Sequence, residues 1–312
     1  MVIRWCLLRV VVLLGILLSI PMVQAANIVI LLSAQGGAYS EVAESLQVEL
    51  VRQGFASRIS TLVVGGSTSE ELSVLSPNLV VAVGAKATQL AVSGGDPRVP
   101  VLSLLTPRST IQAMVSLIRS RGGDPRRFAG LYLEQPLARY FELVRLVFGS
   151  GSRVGVLLGP DSRQDLDFLL AQASPRGVHL TYEFVERASE IYPALQRLAA
   201  QSDVLLLIPD RSAVNLETAQ NLLLGALRLR LPVIGYSSTF VRAGAALALY
   251  SKPAQIGSEG SELAKLLLKG GGGGGGRYPK SLAVEVNALV AKSLGLQIES
   301  EGTRDRLMKV AE

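Results

Sequence analysis

The sequence is poor in the residues on which most catalytic and metal centres depend. It contains one cysteine, Cys6, and one histidine, His179, and aromatic residues make up only 5% of it. A single thiol cannot form an intrachain disulfide, and the Cys/His spacings of zinc sites are absent. A catalytic triad would need His179 beside a serine nucleophile, and no Gly-x-Ser-x-Gly elbow occurs. We therefore predict no metal, no catalytic residue and no enzymatic activity.

Motifs that hold nucleotide phosphates are also missing. No Gly-x-Gly-x-x-Gly follows the first apolar segment, and neither a helix nor a Lys-Ser/Thr pair follows the seven glycines Gly270–Gly276. We predict no cofactor. A run of identical glycines is typical of a flexible connection, so shortening it should leave folding nearly unchanged.

The N-terminus has the pattern of a secretory signal peptide. Arg4 starts a short basic region, Val10–Ile20 is almost wholly apolar, and Pro21 precedes the small residue Ala25. This order predicts cleavage after Ala25 and a periplasmic mature protein. An uncleaved membrane anchor is the alternative, although the apolar run is short for a span. Cys6 lies inside the segment instead of at its end, which argues against lipidation.

The chain is basic, with a formal net charge of +6 and a pI near 9.6. Such a balance can indicate nucleic-acid binding, but the basic residues do not cluster along the sequence. The densest group is Arg119, Arg121, Arg126 and Arg127, around a Gly-Gly-Asp-Pro turn. A solvated loop explains this group, and too few aromatic residues are present to stack bases. We predict no nucleic-acid partner.

Apolar segments alternate with amphipathic ones along the whole chain. Asn27–Leu32, Leu79–Val83 and Pro100–Leu104 read as buried parallel strands, and Arg153–Leu158 and Asp203–Ile208 repeat the pattern in the second half. This predicts an α/β fold of two doubly wound, Rossmann-like lobes with a ligand cleft between them.

The last third of the chain, from residue 231 to 296, carries a more specific pattern. A strand, a polar turn, a Gly-Ala strand, an amphipathic helix, a turn, one more strand and a closing helix follow in order. In this order the sequence resembles the ABC-transporter substrate-binding family of the type I periplasmic fold. The matching residues are Pro232, Gly244, Ala245, Gly257, Leu268, Asn287, Ala291, Leu294 and Gly295.

The resemblance implies a domain plan and a function. A signal peptide (1–25) precedes a first lobe (26–128, completed by about 252–280) and a second lobe (129–251, completed by about 281–300), and 301–312 form a tail. The resemblance also implies a monomer whose lobes close on a small ligand, such as an amino acid, and deliver it to an ABC permease at the inner membrane. A periplasmic sensor without a permease is the alternative, and an enzyme on this fold is a third hypothesis.

Candidate ligand contacts follow the strands, because open parallel sheets bind ligands beyond their carboxyl ends. The residues chosen on this ground are Ser33, Gln35, Gly84, Ala85, Lys86 and Thr106 in the first lobe, and Asp161, Asp210, Tyr236 and Ser237 in the second. Gly84–Lys86 begins a helix, whose free N–H groups can hold a carboxylate or simply start the helix. Asp210 matches an aspartate of the family and either accepts an ammonium group or caps the next helix.

Departures from the family pattern concern the walls of the cleft. Leu104–Arg108 replaces an aromatic-Ala-Gly-Val-x-Asp-Pro turn, Ala129-Gly130 replaces Thr-Gly, and Ser251–Pro253 lacks a common aromatic residue. These departures predict either a ligand that differs from those of the family or weaker binding of the same ligand.

Overall fold

The computed structural model describes residues 26–55, 58–210 and 212–311, which form two α/β lobes, each built on one six-stranded sheet. The fold class predicted from the sequence is confirmed. The predicted signal peptide lies outside the described residues. Across the three described ranges, no helix combines the length and the apolar character needed to cross a bilayer.

The first lobe has a fully parallel sheet. Its strands are β1 (Asn27–Leu32), β2 (Arg58–Val63), β3 (Leu79–Val83), β4 (Val101–Thr106), β5 (Phe128–Tyr132) and β11 (Gly275–Arg277), in the spatial order β11-β5-β4-β3-β1-β2. Its helices are α1 (Gly37–Arg52), α2 (Thr68–Leu75), α3 (Ala85–Gly94), α4 (Arg108–Ser120) and α10 (Pro253–Leu268).

The second lobe repeats this architecture with one antiparallel edge strand. Its strands are β6 (Arg153–Leu158), β7 (His179–Phe184), β8 (Val204–Leu206), β9 (Val233–Gly235), β10 (Leu247–Tyr250) and β12 (Ala283–Val286), in the order β12-β10-β9-β8-β6-β7. Only β12 runs against its neighbour. The helices are α5 (Leu137–Phe148), α6 (Leu166–Ala173), α7 (Ile191–Ala199), α8 (Leu216–Arg228), α9 (Ser238–Ala243), α11 (Ala288–Ser293) and α12 (Ser300–Ala311).

The apolar runs in the sequence arise because each central strand is buried on both faces. In β1, Ile28, Ile30 and Leu32 pack into the core beneath α1 and α10, whereas Val29 and Leu31 pack into the core beneath α3 and α4. Successive side chains of a strand point to opposite faces, so burial on both sides requires an uninterrupted apolar segment.

The chain crosses between the lobes three times. Residues 133–136 join β5 to α5, residues 251–252 join β10 to α10, and residues 278–282 join β11 to β12. The predicted boundary at residue 128 is too early, because Phe128–Tyr132 pairs with β4 in the first sheet. The predicted tail is a helix, α12, whose Leu307 is fully buried in the core of the second lobe.

The glycine run is part of the first sheet, which corrects its interpretation as a flexible connection. Gly275 and Gly276 pair with β5, and the Gly273 N–H donates to the Arg126 carbonyl at 2.8 Å. A Cβ at Gly273 would lie 2.0 Å from the Phe128 carbonyl oxygen, and one at Gly276 would lie 2.2 Å from the Tyr132 ring. Only glycine fits this close to β5.

Candidate functional site

A narrow cavity, partly open to solvent, lies between the lobes beyond the carboxyl ends of β4, β5, β6, β8 and β11. Its walls combine charged side chains with aromatic and aliphatic ones. They are formed by Arg108, Glu134, Gln135, Leu137, Tyr140, Asp165, Phe168, Leu169, Leu207, Ile208, Pro209 and Tyr278.

Arg108 spans the cleft from the first lobe to the second. It is the first residue of α4, and its guanidinium donates to the Asp165 carboxylate just before α6. The guanidinium carbon also lies 4.4 Å from the centroid of the Phe168 ring, an arrangement that favours cation–π attraction. Burial raises the pKa of Asp165, although Arg108 partly offsets this effect. The structure thus places Asp165 in an ion pair between the lobes.

Glu134 places a second carboxylate at the cavity, in the first crossover. Both of its oxygens accept from the Arg108 backbone N–H at 3.1 Å, so Glu134 caps the start of α4. Burial raises the pKa of Glu134 to about 7, while the hydrogen bond from Arg108 and the Arg108 charge oppose this shift. A carboxylate poised near neutral pH can accept a cationic group or donate a hydrogen bond.

Aromatic rings form the remaining wall on the first lobe. Tyr278 follows β11 and packs edge to face against Tyr132, with ring centroids 4.9 Å apart. Burial raises the pKa of the Tyr278 hydroxyl to about 12, so it stays protonated. The glycine strand therefore positions a cavity residue, because Tyr278 comes two residues after Gly276.

One side chain connects all three crossovers. Gln135, in the first, donates from Nε2 to the Ser251 hydroxyl at 2.6 Å in the second and to the Ser281 carbonyl at 3.0 Å in the third. Arg139 donates to the side-chain Oε1 of Gln135 at 2.6 Å and to the Pro279 backbone carbonyl at 3.0 Å. These bonds define the hinge, since the chain passes between the lobes only here.

The predicted residues of the first lobe gather at the ends of β1 and β3. Ser33 Oγ accepts from the Ala87 N–H at 3.0 Å, so it caps α3. A Cβ at Gly84 would lie 2.5 Å from Ser33 Oγ and 2.6 Å from the Tyr39 ring, and Gly84 has φ 92°, which favours glycine. Ala85 and Lys86 begin α3 beside them.

Two further predictions for the first lobe have different outcomes. Thr106 is fully buried, and its hydroxyl pairs with Thr88 Oγ1 at 3.0 Å, so this side chain belongs to the interior of the lobe. Gln35 is exposed in the loop before α1. Because β4 continues to Thr106 and turns its hydroxyl towards α3, this hydroxyl has a partner within its own lobe.

Asp210 and Asp161 lie in neighbouring loops of the second lobe. One Asp210 oxygen accepts from the N–H groups of Asp161 and Ser162 at 3.0 and 2.9 Å and from the Ser162 hydroxyl at 2.8 Å. The other accepts from the N–H groups of Ser212 and Ala213 at 2.8 and 3.0 Å. Protein donors therefore surround this buried carboxylate, which favours the capping role over a ligand contact.

Tyr236 follows β9 and packs edge to face on Phe240, and Ser237 precedes α9. The Tyr236 hydroxyl donates to the Val214 carbonyl at 3.2 Å. Burial raises the pKa of Tyr236, and the charges of Glu134, Asp210 and Tyr39 raise it further.

None of the ten predicted residues, all within the described ranges, is among those that line the cavity. The sequence analysis missed Arg108, Glu134, Asp165, Phe168 and Tyr278. A signal existed for Arg108, which stands in the turn that departs from the family pattern. No comparable signal existed for the others, because their proximity depends on how the lobes face each other. No group of three or more metal-ligating side chains occurs in the described part of the chain.

Comparison with known proteins agrees with this architecture. Residues 66–301 match the family model described as ABC transporter substrate binding protein. No curated protein matches the chain.

Several solved structures share the fold. One is a domain from Streptococcus pneumoniae in complex with L-Trp (17% identity, 90% of this chain and 97% of that one, TM-score 0.66). Another is the ligand-free, open form of a substrate-binding protein with adhesive properties from Clostridium difficile (17% identity, 89% of this chain and 98% of that one, TM-score 0.70). A third is a periplasmic solute-binding protein from Actinobacillus succinogenes with bound D-allose (11% identity, 86% of this chain and 99% of that one, TM-score 0.54).

Proposed function

The chain belongs to the ABC transporter substrate binding protein family, and from this premise we propose that it captures a small ligand between its lobes for an ABC permease. One observation carries the proposal. The cavity between the lobes brings together a cation, Arg108, two carboxylates, Glu134 and Asp165, and the rings of Phe168 and Tyr278. Such a set of polar groups in an aromatic setting is typical of sites for small organic molecules.

The charges favour a ligand with a cationic group, such as an amino acid. Arg108 neutralises Asp165, and among the described residues no cationic side chain is bonded to Glu134, whose two oxygens accept from a backbone N–H. A ligand ammonium group has a partner in Glu134. A ligand carboxylate has one in Arg108, at the cost of the ion pair with Asp165. The apolar part of the ligand packs on Phe168 or Tyr278.

Closure in this proposal is a rotation about the hinge. The hydrogen bonds of Gln135 hold the three crossovers together, while contacts across the cleft can form and break. A ligand that touches both lobes binds the closed state better than the open one and shifts the population towards it. The permease then distinguishes the two states by the relative position of the lobes.

Location in the periplasm is part of the same proposal. It rests on the N-terminal sequence, in which a basic start, an apolar stretch, Pro21 and Ala25 have the order of a cleaved signal peptide. Sequencing of the mature N-terminus tests it, and we expect the chain to begin at Ala26.

Native mass spectrometry of the purified protein tests ligand capture directly. We expect a co-purified small molecule that leaves on mild unfolding. Thermal shift measurements with L-tryptophan, L-arginine and D-allose then test the preferred chemistry, and we expect a larger shift for the two amino acids than for the sugar. A ligand at about 100 times its Kd adds about 2.7 kcal/mol to the free energy of unfolding.

The variant Asp165→Asn, compared with Asp167→Asn, ties binding to the cavity. Both residues lie at the start of α6, but Asp165 pairs with Arg108 while Asp167 is exposed. We expect Asp165→Asn to change the ligand-induced shift and Asp167→Asn to leave it unaltered. Equal behaviour of the two variants, or no stabilisation by any amino acid or co-purified molecule, would contradict the proposal.

A further inference from the structure

A ligand that enters the cleft meets a side chain that is already bound there. The guanidinium of Arg108, from the first lobe, donates to the Asp165 carboxylate and lies over the Phe168 ring, both of the second lobe. Asp165 precedes α6 and Phe168 lies in its first turn, three residues later, a spacing that puts two side chains on one face of a helix. Together they form an acidic and aromatic surface that holds a guanidinium, and we call Asp165 and Phe168 the guanidinium subsite.

Burial distinguishes this subsite from a similar arrangement at an exposed place in the same lobe. There Arg163 pairs with Glu186 at 3.3 Å, and its guanidinium carbon lies 4.6 Å from the centroid of the Phe184 ring. The side chains of that pair are 48% and 67% exposed, against 15% and 17% for Arg108 and Asp165. Because water competes for exposed charges, a small cation gains more at the guanidinium subsite than at the exposed pair.

The charges of the cavity favour a ligand with net positive charge. Three of the residues that line the cavity are charged, namely Arg108, Glu134 and Asp165. One positive and two negative groups sum to −1 when both carboxyls are ionised. A zwitterionic amino acid leaves this charge uncompensated, whereas an amino acid with an additional guanidinium neutralises it.

We propose that the ligand carries a guanidinium group, as L-arginine does, and that this group takes the place of Arg108 in the guanidinium subsite. The inference rests on the proposed function and names the ligand class of the same cavity. One guanidinium replaces another, so Asp165 is not left buried without a cation. The released Arg108 is then available to the ligand carboxylate, and Glu134 to the ligand ammonium group.

Methylguanidine tests the subsite by itself, because it has a guanidinium but neither a carboxylate nor an ammonium group. Arg108→Ala removes the side chain that fills the subsite and keeps the backbone N–H that Glu134 accepts. We expect methylguanidine at up to about 10 mM to raise the Tm of this variant in a saturable manner. The rise in the parent should be at least about fivefold smaller, because the tethered guanidinium competes at a millimolar effective concentration.

Two controls show whether the response comes from charge recognition at the subsite. Methylurea, which has a similar shape and no charge, should not raise the Tm of Arg108→Ala. The double variant Arg108→Ala, Asp165→Asn should lose the response to methylguanidine, since the carboxylate that pairs with the cation is gone. Equal responses to the two compounds, or an unchanged response in the double variant, would overturn the proposal.

Arg163→Ala is the matched control variant. It removes an arginine from a carboxylate and an aromatic ring, as Arg108→Ala does, but at an exposed place. We expect methylguanidine to leave its Tm unaltered relative to the parent. A response of Arg163→Ala as large as that of Arg108→Ala would contradict a specific subsite in the cleft.

Titration calorimetry of the parent protein tests the ligand class without any variant. L-citrulline has the shape of L-arginine, with a neutral urea group in place of the guanidinium. We expect L-arginine to bind on the order of 10- to 100-fold more tightly, the difference typical of a charge-assisted contact. Phe168→Leu should weaken L-arginine binding about threefold to tenfold through loss of the cation–π contact. Equal affinities for L-arginine and L-citrulline would overturn the proposal even if Arg108→Ala fails to fold.

These outcomes are distinguishable from failure of the proposed function. The methylguanidine response does not depend on ligand capture by the parent, so it supports or overturns the subsite in either case. A parent protein that binds L-tryptophan, but binds L-arginine no more tightly than L-citrulline, would overturn the guanidinium assignment and leave ligand capture intact.

Discussion

Arg108 of the first lobe and Asp165 of the second form an ion pair across the ligand cleft, so the protein supplies its own contact between lobes without a ligand. The pair is mostly shielded from solvent, with side-chain exposures of 15% and 17%. The Phe168 ring covers the guanidinium from one side. A ligand that uses either side chain must exchange this contact for its own, which couples binding to the position of the lobes.

We predict that Arg108→Gln and Asp165→Asn each open the ligand-free protein. Loss of one partner removes the attraction and leaves the other charge partly buried, which disfavours the closed state. Small-angle scattering should show a larger radius of gyration in both variants but not in Asp167→Asn. In a double-mutant cycle we expect the two side chains to be coupled by about 1–2 kcal/mol. Additive effects would mean that the pair does not hold the lobes together.

We predict that Asp210→Asn destabilises the second lobe by about 2–4 kcal/mol, because the carboxylate accepts five hydrogen bonds from its own lobe. Asparagine supplies one acceptor oxygen and turns an NH2 group towards other donors. Urea denaturation measures the loss of stability. Ligand affinity, measured where the variant is fully folded, should change little. Unchanged stability with weakened binding would instead support the ligand role that the sequence left open.

We predict opposite outcomes for two neighbouring glycines. Gly273→Ala places a methyl group against the Phe128 carbonyl, a backbone atom that cannot move aside, and should cost about 1–3 kcal/mol or more. Gly275→Ala meets nothing within 4 Å and should change the free energy of unfolding by less than about 0.5 kcal/mol. Thermal unfolding of both variants provides the comparison. Equal, small effects would indicate that the glycine run does not pair with β5.

We predict that Glu134 makes the protein less stable as the pH rises from about 4.5 to 7. The pKa of Glu134 is about 7 in the folded protein and near 4.5 in the unfolded chain. The folded state therefore binds more protons than the unfolded state within this window. The penalty is largest above pH 7, on the order of 1–3 kcal/mol. Glu134→Gln should therefore lose this dependence and gain stability relative to the parent at pH 8. Urea midpoints at pH 5 and pH 8 measure it.

The exposed Glu71 is the control for this titration. Glu71→Gln should show the same change in urea midpoint between pH 5 and pH 8 as the parent. If Glu134→Gln does so as well, Glu134 does not titrate in the window that its burial implies.

The strands could be predicted from the sequence wherever burial on two faces produced an apolar run. Asn27–Leu32, Leu79–Val83 and Arg153–Leu158 have the predicted bounds. The strand at Gly275 could not be predicted in this way, because glycine has no side chain that reports which face is buried. Its partner β5 was missed as well, since Ala129 and Gly130 are small where the glycine strand approaches.

The site was harder to predict than the fold. Sequence position indicated the carboxyl ends of the strands, where the cavity also lies, but it did not tell which way each side chain turns. Asp210 turns back into its own loops, whereas Asp165 reaches across to Arg108. That choice depends on the orientation of one lobe relative to the other, which no local pattern records.

The pairing of β5 with β11 also constrains how the chain acquires its structure. β5 ends at Tyr132, and the strand that covers its open edge begins only at Gly275, after nearly the whole second lobe. Until that late segment emerges during synthesis or translocation, β5 has an unpaired edge that can join other chains. Contacts so distant in sequence form slowly, so the first lobe is completed last although it begins first. A chain truncated before the glycine strand is therefore expected to aggregate even with its five earlier strands intact.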